Sequence, residues 1–322
     1  MENEYYIGKL VWGESKKLPI TSWAFSQIKS AVQIQMEALY IEQKYDFIVQ
    51  NYIEFEETLL RAGLQDMILS GQEIQWFHVN RALFDRRIMN LLTTVRSYDD
   101  SLEQHFSKIF DHDKSKFSQA KAAFSLEYDA RLGYRTICKL RNFIQHQGFP
   151  VHGSSYQFRW LEDEGVRKGK SRNTVDPYLC PEELRKGDFN RGVLAELEAV
   201  GASVDLKTLV RDFLEGFSIA HHKTREILQE KLETAEATIV EMVNYYRSEF
   251  GDSKNLLSGL AAISRDDEGN KVDEIFIGQG SNTHRAHLVK KNGSLKNISV
   301  SYVSSEIVEN TYPRRQSADQ YD

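Results

Sequence analysis

Arg141 and Asn142 stand five and four residues ahead of His146 in the run Cys138-Lys139-Leu140-Arg141-Asn142-Phe143-Ile144-Gln145-His146-Gln147-Gly148-Phe149-Pro150. Arginine carries a permanent cation with forked donors suited to a phosphate. Histidine is the side chain that gains and loses a proton near neutral pH. Cleavage of a phosphodiester uses both: a cation for the charge that develops on the phosphoryl oxygens, and a proton carrier for the entering and departing oxygens.

The element that must position these residues is a helix expected from about Ser115 to Gln147. Its apolar stripe Ala123, Leu126, Ala130, Gly133, Ile137, Leu140 and Ile144 steps by three and four throughout. Gly148 and Pro150 end it just past the histidine. Small residues at Ala130 and Gly133 allow a close neighbour, in a bundle core or a two-fold dimer seam. On a straight helix Asn142 and His146 share a face, whereas Arg141 and His146 point about 140° apart. Either the helix unwinds near Gly148, or two copies of the chain line one cleft. Arg131 and Arg135 extend the polar face toward the motif as a candidate RNA-binding strip, with Tyr128 and Tyr134 near enough in sequence to offer stacking surfaces.

Around that helix the pattern is mostly helical. Residues 21 to 70 lack proline, with Thr21 or Ser22 as a cap and Gly63 and Gly71 as interruptions, which predicts one or two long helices. Residues 72 to 110 carry Phe84, Ile88, Leu91, Val95, Tyr98, Leu102, His105 and Ile109 on one stripe. Asp111-His112-Asp113 reads as a turn with Asp113 as the next N-cap. Residues 149 to 188 read as an inserted hairpin or ordered loop, whose basic run Arg167, Lys168, Lys170 and Arg172 is a second candidate RNA contact. Helix resumes near Asp188 and again from Leu206 to Phe250, with a break or a packing partner expected near Gly216.

The ends differ in texture. Residues 1 to 20 are expected to be an N-terminal arm or strand, and residues 251 to 305 a small β-containing extension. In that extension Val272 to Ile277 and His284 to Val289 are predicted strands, with an Asn292-Gly293 turn before a third at Ile298 to Val303. Residues 306 to 322 are expected to be a disordered tail.

At 322 residues the chain can bury one substantial core or two modest ones. The start of the chain resembles no signal peptide and no long uncharged apolar run occurs, so the expectation is a cytoplasmic protein with no membrane contact. Two cysteines, Cys138 and Cys180, form no disulfide framework and read as reduced, buried side chains. A net charge of −6 argues against bulk electrostatic binding of nucleic acid and leaves only a local basic groove.

Leu140-Arg141-Asn142-x-x-x-His146, late on a strongly apolar helix and followed by glycine, resembles the Arg-polar-x-x-x-His motif of HEPN domains. The resemblance covers about residues 75 to 150 and part of the later helices. It implies a mainly α, HEPN-like helical bundle that forms a homodimer and acts as a metal-independent endoribonuclease, of the kind found in toxin and phage-defence systems. It implies that Arg141 stabilises the phosphorane charge, His146 shuttles the proton and Asn142 orients the cleft, with RNA as substrate and no cofactor. It leaves room for an inhibitory or regulatory protein partner. The competing class is a non-catalytic helical dimerisation or interaction protein on the same scaffold.

Other histidines offer less. His221-His222 diverge on a helix and read as a solvated face; Asp111-His112-Asp113 reads as turn and cap rather than metal site; His284 and His287 carry no chemistry. No phosphate-cradling glycine loop, zinc signature or Gly-x-Ser-x-Gly elbow is present, which leaves ATPase, zinc-hydrolase and serine-hydrolase readings without support.

Overall fold

Three long helices carry the core because each repeats apolar residues at steps of three and four. A computed structural model describes residues 3–10, 16–69, 72–163, 166–251, 259–293 and 295–303; for 161–163 and 166–170 it describes the backbone alone. Helix α1 (Ser22–Ile68) starts at Thr21, whose hydroxyl accepts the Ala24 N–H at 3.1 Å. It buries Phe25, Ile28, Ala31, Ile34, Ala38, Ile41, Tyr45, Ile48, Tyr52, Phe55 and Leu59 without interruption at Gly63. Helix α2 (Ile74–Ile109) buries the predicted stripe from Phe84 to Ile109, except that His105 is half-buried and hydrogen-bonds Glu37 at 2.6 Å.

Asp113 caps α3 (Lys114–Ala130), its carboxylate accepting the Ser115 N–H at 2.8 Å. The one helix expected from Ser115 to Gln147 is in fact two. Arg131, in extended backbone at φ −123° and ψ 122°, separates α3 from α4 (Leu132–His146). Its guanidinium is held by Glu127, Asp212 and Glu215, at 2.7, 2.9 and 3.1 Å, and this knot fixes the break. The apolar stripe is therefore continuous in sequence but not in space: Gly133, Ile137 and Leu140 are buried, while Ala130 and Leu126 are exposed.

Helices α5 (Pro181–Lys186) and α6 (Arg191–Val200) lead to α7 (Leu206–Phe250), which packs on α1, α3 and α4. No break occurs in α7 at Gly216. That glycine makes room for the knot instead, since a Cβ there would lie 2.7 Å from Arg131 Cδ. Of the two expected forms, hairpin or ordered loop, the insertion is a hairpin, β3 (Gly153–Asp163) antiparallel to β4 (Val166–Leu179), with β5 (Val204–Asp205) completing a three-stranded sheet.

The two chain ends, expected as separate appendages, share one sheet of order β2-β1-β6-β7. Here β1 (Glu4–Lys9) pairs with β2 (Leu18–Pro19) and β6 (Leu260–Arg265), and β6 pairs with β7 (Lys271–Phe276), the predicted strand at Val272. The expected strand at His284–Val289 is instead part of helix α8 (Gly280–Lys291), Asn292 is its C-cap rather than a hairpin turn, and Ile298–Val300 is a 3-10 helix. Packing on α1 overrides β-propensity here: Leu288 is buried and Arg285 reaches within 3.9 Å of Glu42 on α1. The expected disordered tail lies outside the described residues. The described chain is mainly helical with small sheets, and no described helix is long and apolar enough to cross a membrane.

The helices approach closely at the start of α4, where a Cβ on Gly133 would lie 2.4 Å from the Leu209 carbonyl oxygen and 2.8 Å from Asp212 Cβ. Gly133→Ala should therefore lower stability by about 1–3 kcal/mol through overpacking, read as a shift of the denaturant midpoint. An unchanged midpoint would show that α4 and α7 can separate without cost.

Candidate functional site

The motif occupies the last turns of α4, whose far end is fixed by Asp212 accepting the Gly133 N–H at 2.9 Å. A carboxylate at a helix N-terminus satisfies an orphan donor and complements the helix dipole. Phe143, between Asn142 and His146, is buried against Gly187 and His152 and anchors the C-terminal end. The helix stays regular through His146, and its closing bonds run from the Gln147 and Gly148 N–H groups to the Phe143 carbonyl at 2.8 and 3.4 Å.

Asn142 and His146 are both exposed on one face, and Arg141 is half-buried on another. The helix does not unwind before its end, and within one chain Arg141 and His146 stay on different faces. Arg141, Asn142 and His146 have no hydrogen bond or ion pair from their side chains among the described residues. Arg141 acts through space on Asp99 of α2. Crowding by protein atoms withdraws the Asp99 carboxyl from water, although the residue keeps exposed surface, and pushes it up to about 6; Asp100 pushes the same way, while Arg96 and Arg141 pull against it. Burial, with Asp99 adding to it, also pushes the Cys138 thiol up to about 12, which leaves that cysteine inert as a nucleophile at neutral pH.

The basic strip expected upstream does not stand open. Arg131 is consumed by its three carboxylates: burial acts to lower its pKa, but Glu127, Asp212 and Glu215 hold it above the ordinary value. Arg135 is bidentate to Glu196, at 3.2 and 2.5 Å, and donates to the Tyr128 and Asp129 carbonyls. Tyr134 is buried against Phe213 and cannot stack on a base, whereas Tyr128 is half-buried with Lys139 over its ring. Of the second basic run, Arg172 is exposed on β4 opposite Arg159, and the side chains of Arg167, Lys168 and Lys170 lie outside the described residues.

His221 corrects the solvated-face expectation. It is fully buried, stacked on Tyr45 at 3.8 Å, with Nδ1 accepting from Tyr98 Oη at 2.9 Å and Nε2 toward Glu42 at 3.3 Å. Arg225 completes the cluster with two bonds to Glu42, at 2.9 and 2.7 Å. Burial pushes the Glu42 carboxyl up, but His221 and Arg225 outweigh it and bring it down to about 2; burial holds His221 below the usual histidine value, against the pull of Glu42. The periodicity carries the signal for this site, because His221 falls on the Phe217, Thr224, Leu228 row of α7. Cys138 and Cys180 are free and half-buried. Among the described residues no group of three or more His, Cys, Asp or Glu is placed to hold a metal ion.

No protein-family model matches the chain, and neither a curated protein nor a solved structure matches it.

The exit from α4 is tied to α2 by the Val151 N–H, which donates to Asp85 Oδ1 at 2.8 Å. Burial pushes the Asp85 carboxyl up to about 6, against that bond and the pull of Arg81. A carboxyl raised from 3.8 to about 6 on folding makes the native state the better proton binder, so its contribution is fully present below pH 3.8 and lost as pH rises through 6. Asp85→Asn keeps an acceptor for Val151 and removes the charge. The expected outcome is a variant whose thermal melting falls less than wild type between pH 4 and pH 7; a parallel loss in both proteins would show that Asp85 does not titrate in that window.

Proposed function

We propose that the chain is a metal-independent endoribonuclease on a HEPN-like bundle, acting as a cytoplasmic homodimer in a toxin or phage-defence role, with Arg141, Asn142 and His146 as its catalytic residues. One observation carries the reading: these side chains lack intramolecular partners among the described residues, while Arg131 and Arg135 on the same segment are neutralised. A cation that makes no ion pair, on the same helix end as an exposed imidazole, is available to a ligand.

The chemistry is attack of an RNA 2′-hydroxyl on the adjacent phosphorus. The new O–P bond forms, the bond to the 5′-oxygen breaks, and the strand ends in a cyclic phosphate and a free 5′-hydroxyl. His146 carries the proton from the attacking oxygen or to the departing one, and Arg141 balances charge on the phosphoryl oxygens. Because these two side chains diverge on one regular helix, a phosphate is reached by both only when two copies contribute to one cleft. A protein that binds the dimer over that cleft would regulate it.

A second reading, a non-catalytic interaction protein, is favoured by the apolar surface left open where α1 meets α2. Leu60, Leu64, Met67, Ile68 and Ile74 are each more than half exposed there. Cleavage separates the two. His146→Ala should lower the rate on RNA oligonucleotides by about 10²- to 10⁴-fold, with an unchanged melting curve because the side chain is exposed and unbonded. Equal cleavage by wild type and variant would remove the enzymatic reading.

Metal and sugar dependence test the mechanism. Cleavage should persist in excess EDTA, stop when the scission nucleotide is 2′-deoxy, and leave cyclic-phosphate ends. Activity that dies with EDTA and returns with Mg²⁺ or Mn²⁺, or that cuts the deoxy substrate, would assign the reaction to a metal-dependent nuclease.

A further inference from the structure

Just past the motif, the end of α4, the start of α5 and the Arg81 turn of α2 enclose a cavity of about 330 Å³. Its walls are chemically divided. One side is aromatic, with Phe143 buried at the base and Phe149 60 % exposed. The other side holds Arg81, His152, Glu183 and Lys186. Glu183 and Lys186 pair with each other at 2.5 Å and cancel in charge. Arg81 makes no hydrogen bond or ion pair among the described residues, and the carboxylate it influences, Asp85, does not line the cavity. Arg81 is therefore the lining cation that makes no ion pair among the described residues, with the Asp85 carboxylate acting on it through space from outside the cavity.

His152 supplies a directed donor. The Cys180 N–H donates to its Nδ1 at 2.8 Å, so the neutral ring carries its proton on Nε2; among the described residues no hydrogen bond is made from Nε2, and Glu183 acts on the ring through space. Space is kept by Gly187, where a Cβ would lie 2.6 Å from the Phe143 ring. An open volume near 330 Å³ is at the low end of small-molecule sites, the size for one nucleotide rather than a strand.

We infer that this cavity is a binding site for a single nucleotide, its phosphate on the Arg81 guanidinium and the His152 Nε2–H, its base on Phe149. The site is distinct from Arg141, Asn142 and His146, none of which lines it, and the inference does not require that the chain cut RNA. The same chemistry is presented by a free nucleotide and by one nucleotide of an RNA strand.

Calorimetric titration of the full chain with the four ribonucleoside 5′-monophosphates, with inorganic phosphate and with a short oligoribonucleotide tests it. Wild type is compared with Arg81→Ala, Phe149→Ala and His146→Ala; Arg81 is unbonded and Phe149 exposed, so melting curves should show both variants folded. Arg81→Ala should weaken nucleotide binding by about ten- to hundred-fold, the loss of a charge-assisted phosphate contact. Phe149→Ala should weaken it by about five- to hundred-fold through lost stacking, and His146→Ala should leave it unchanged. Monophosphates binding in this pattern identify a free nucleotide as the occupant. Binding of the oligoribonucleotide alone, with the same dependence on Arg81 and Phe149, places a strand nucleotide there. Inorganic phosphate binding as tightly as the monophosphates, or no binding that Arg81→Ala and Phe149→Ala weaken, overturns the assignment. Repeating the titrations in His146→Ala keeps the result separate from the fate of the catalytic reading.

Discussion

Arg131 is the constraint on which the candidate site depends. Its three carboxylate partners come from α3 and from two successive turns of α7, so one guanidinium ends α3, orients α4 and docks both on α7. Asp212 takes part twice, accepting from Arg131 and from the first turn of α4 at Gly133. Glu215 continues the link, since its other oxygen accepts the Ser299 N–H and hydroxyl at 3.0 and 2.5 Å and holds the C-terminal 3-10 helix against α7. With carboxylates half-buried and bonded from several sides, such a network sets geometry more than it adds net stability. What it sets is the direction in which the end of α4 projects.

A second buried polar cluster fixes the register of the long helices. Glu42 on α1, Tyr98 on α2 and His221 and Arg225 on α7 meet within the core, with Arg285 of α8 close by. Sliding any of these helices by one turn would strand a carboxylate or a guanidinium away from its partner, at a cost of several kcal/mol for an uncompensated buried charge. Apolar stripes alone tolerate such slides, because leucine and isoleucine rows look alike one turn on. Specificity of packing therefore resides in the polar minority of the core, and the small sheet and α8 close over it.

Much of this was legible in the sequence, for stated physical reasons. The stripes from Phe84 to Ile109 and along α7 are read directly because burial on one helix face has no alternative expression in sequence, and Asp113 and Thr21 announce helix starts through their side-chain acceptors. The break at Arg131 was not legible, since Leu126, Ala130 and Gly133 keep helical spacing across it. Its cause lies on α7, some eighty positions later, in Asp212 and Glu215. The same holds for α8, where His284 to Val289 shows strand-like alternation locally and becomes helical against α1. His221 was readable and misread: adjacent histidines diverge on a helix, which excludes a shared metal but says nothing against one of them facing inward.

Charge shows why the site could be only half seen. The sequence offers Arg131 and Arg135 on the polar face that ends at His146 and Arg141 on another, and a net charge of −6 gives no means of ranking the three. Folding ranks them by their neighbours. Arg131 and Arg135 acquire carboxylates from α7 and α6, whereas Arg141 acquires only the distant influence of Asp99, a carboxyl whose own environment disfavours its charge. An arginine held by carboxylates at 2.5 to 3.2 Å must break those bonds to meet a phosphate with the same donors, and each broken charge-assisted bond costs about 1.5–3 kcal/mol. An unbonded arginine meets the same phosphate at the cost of desolvation alone. In an acidic chain, the cations that matter for an anionic ligand are those the fold leaves unpaired, and at this end of α4 they are Arg141 on the motif and Arg81 across the cavity beside it.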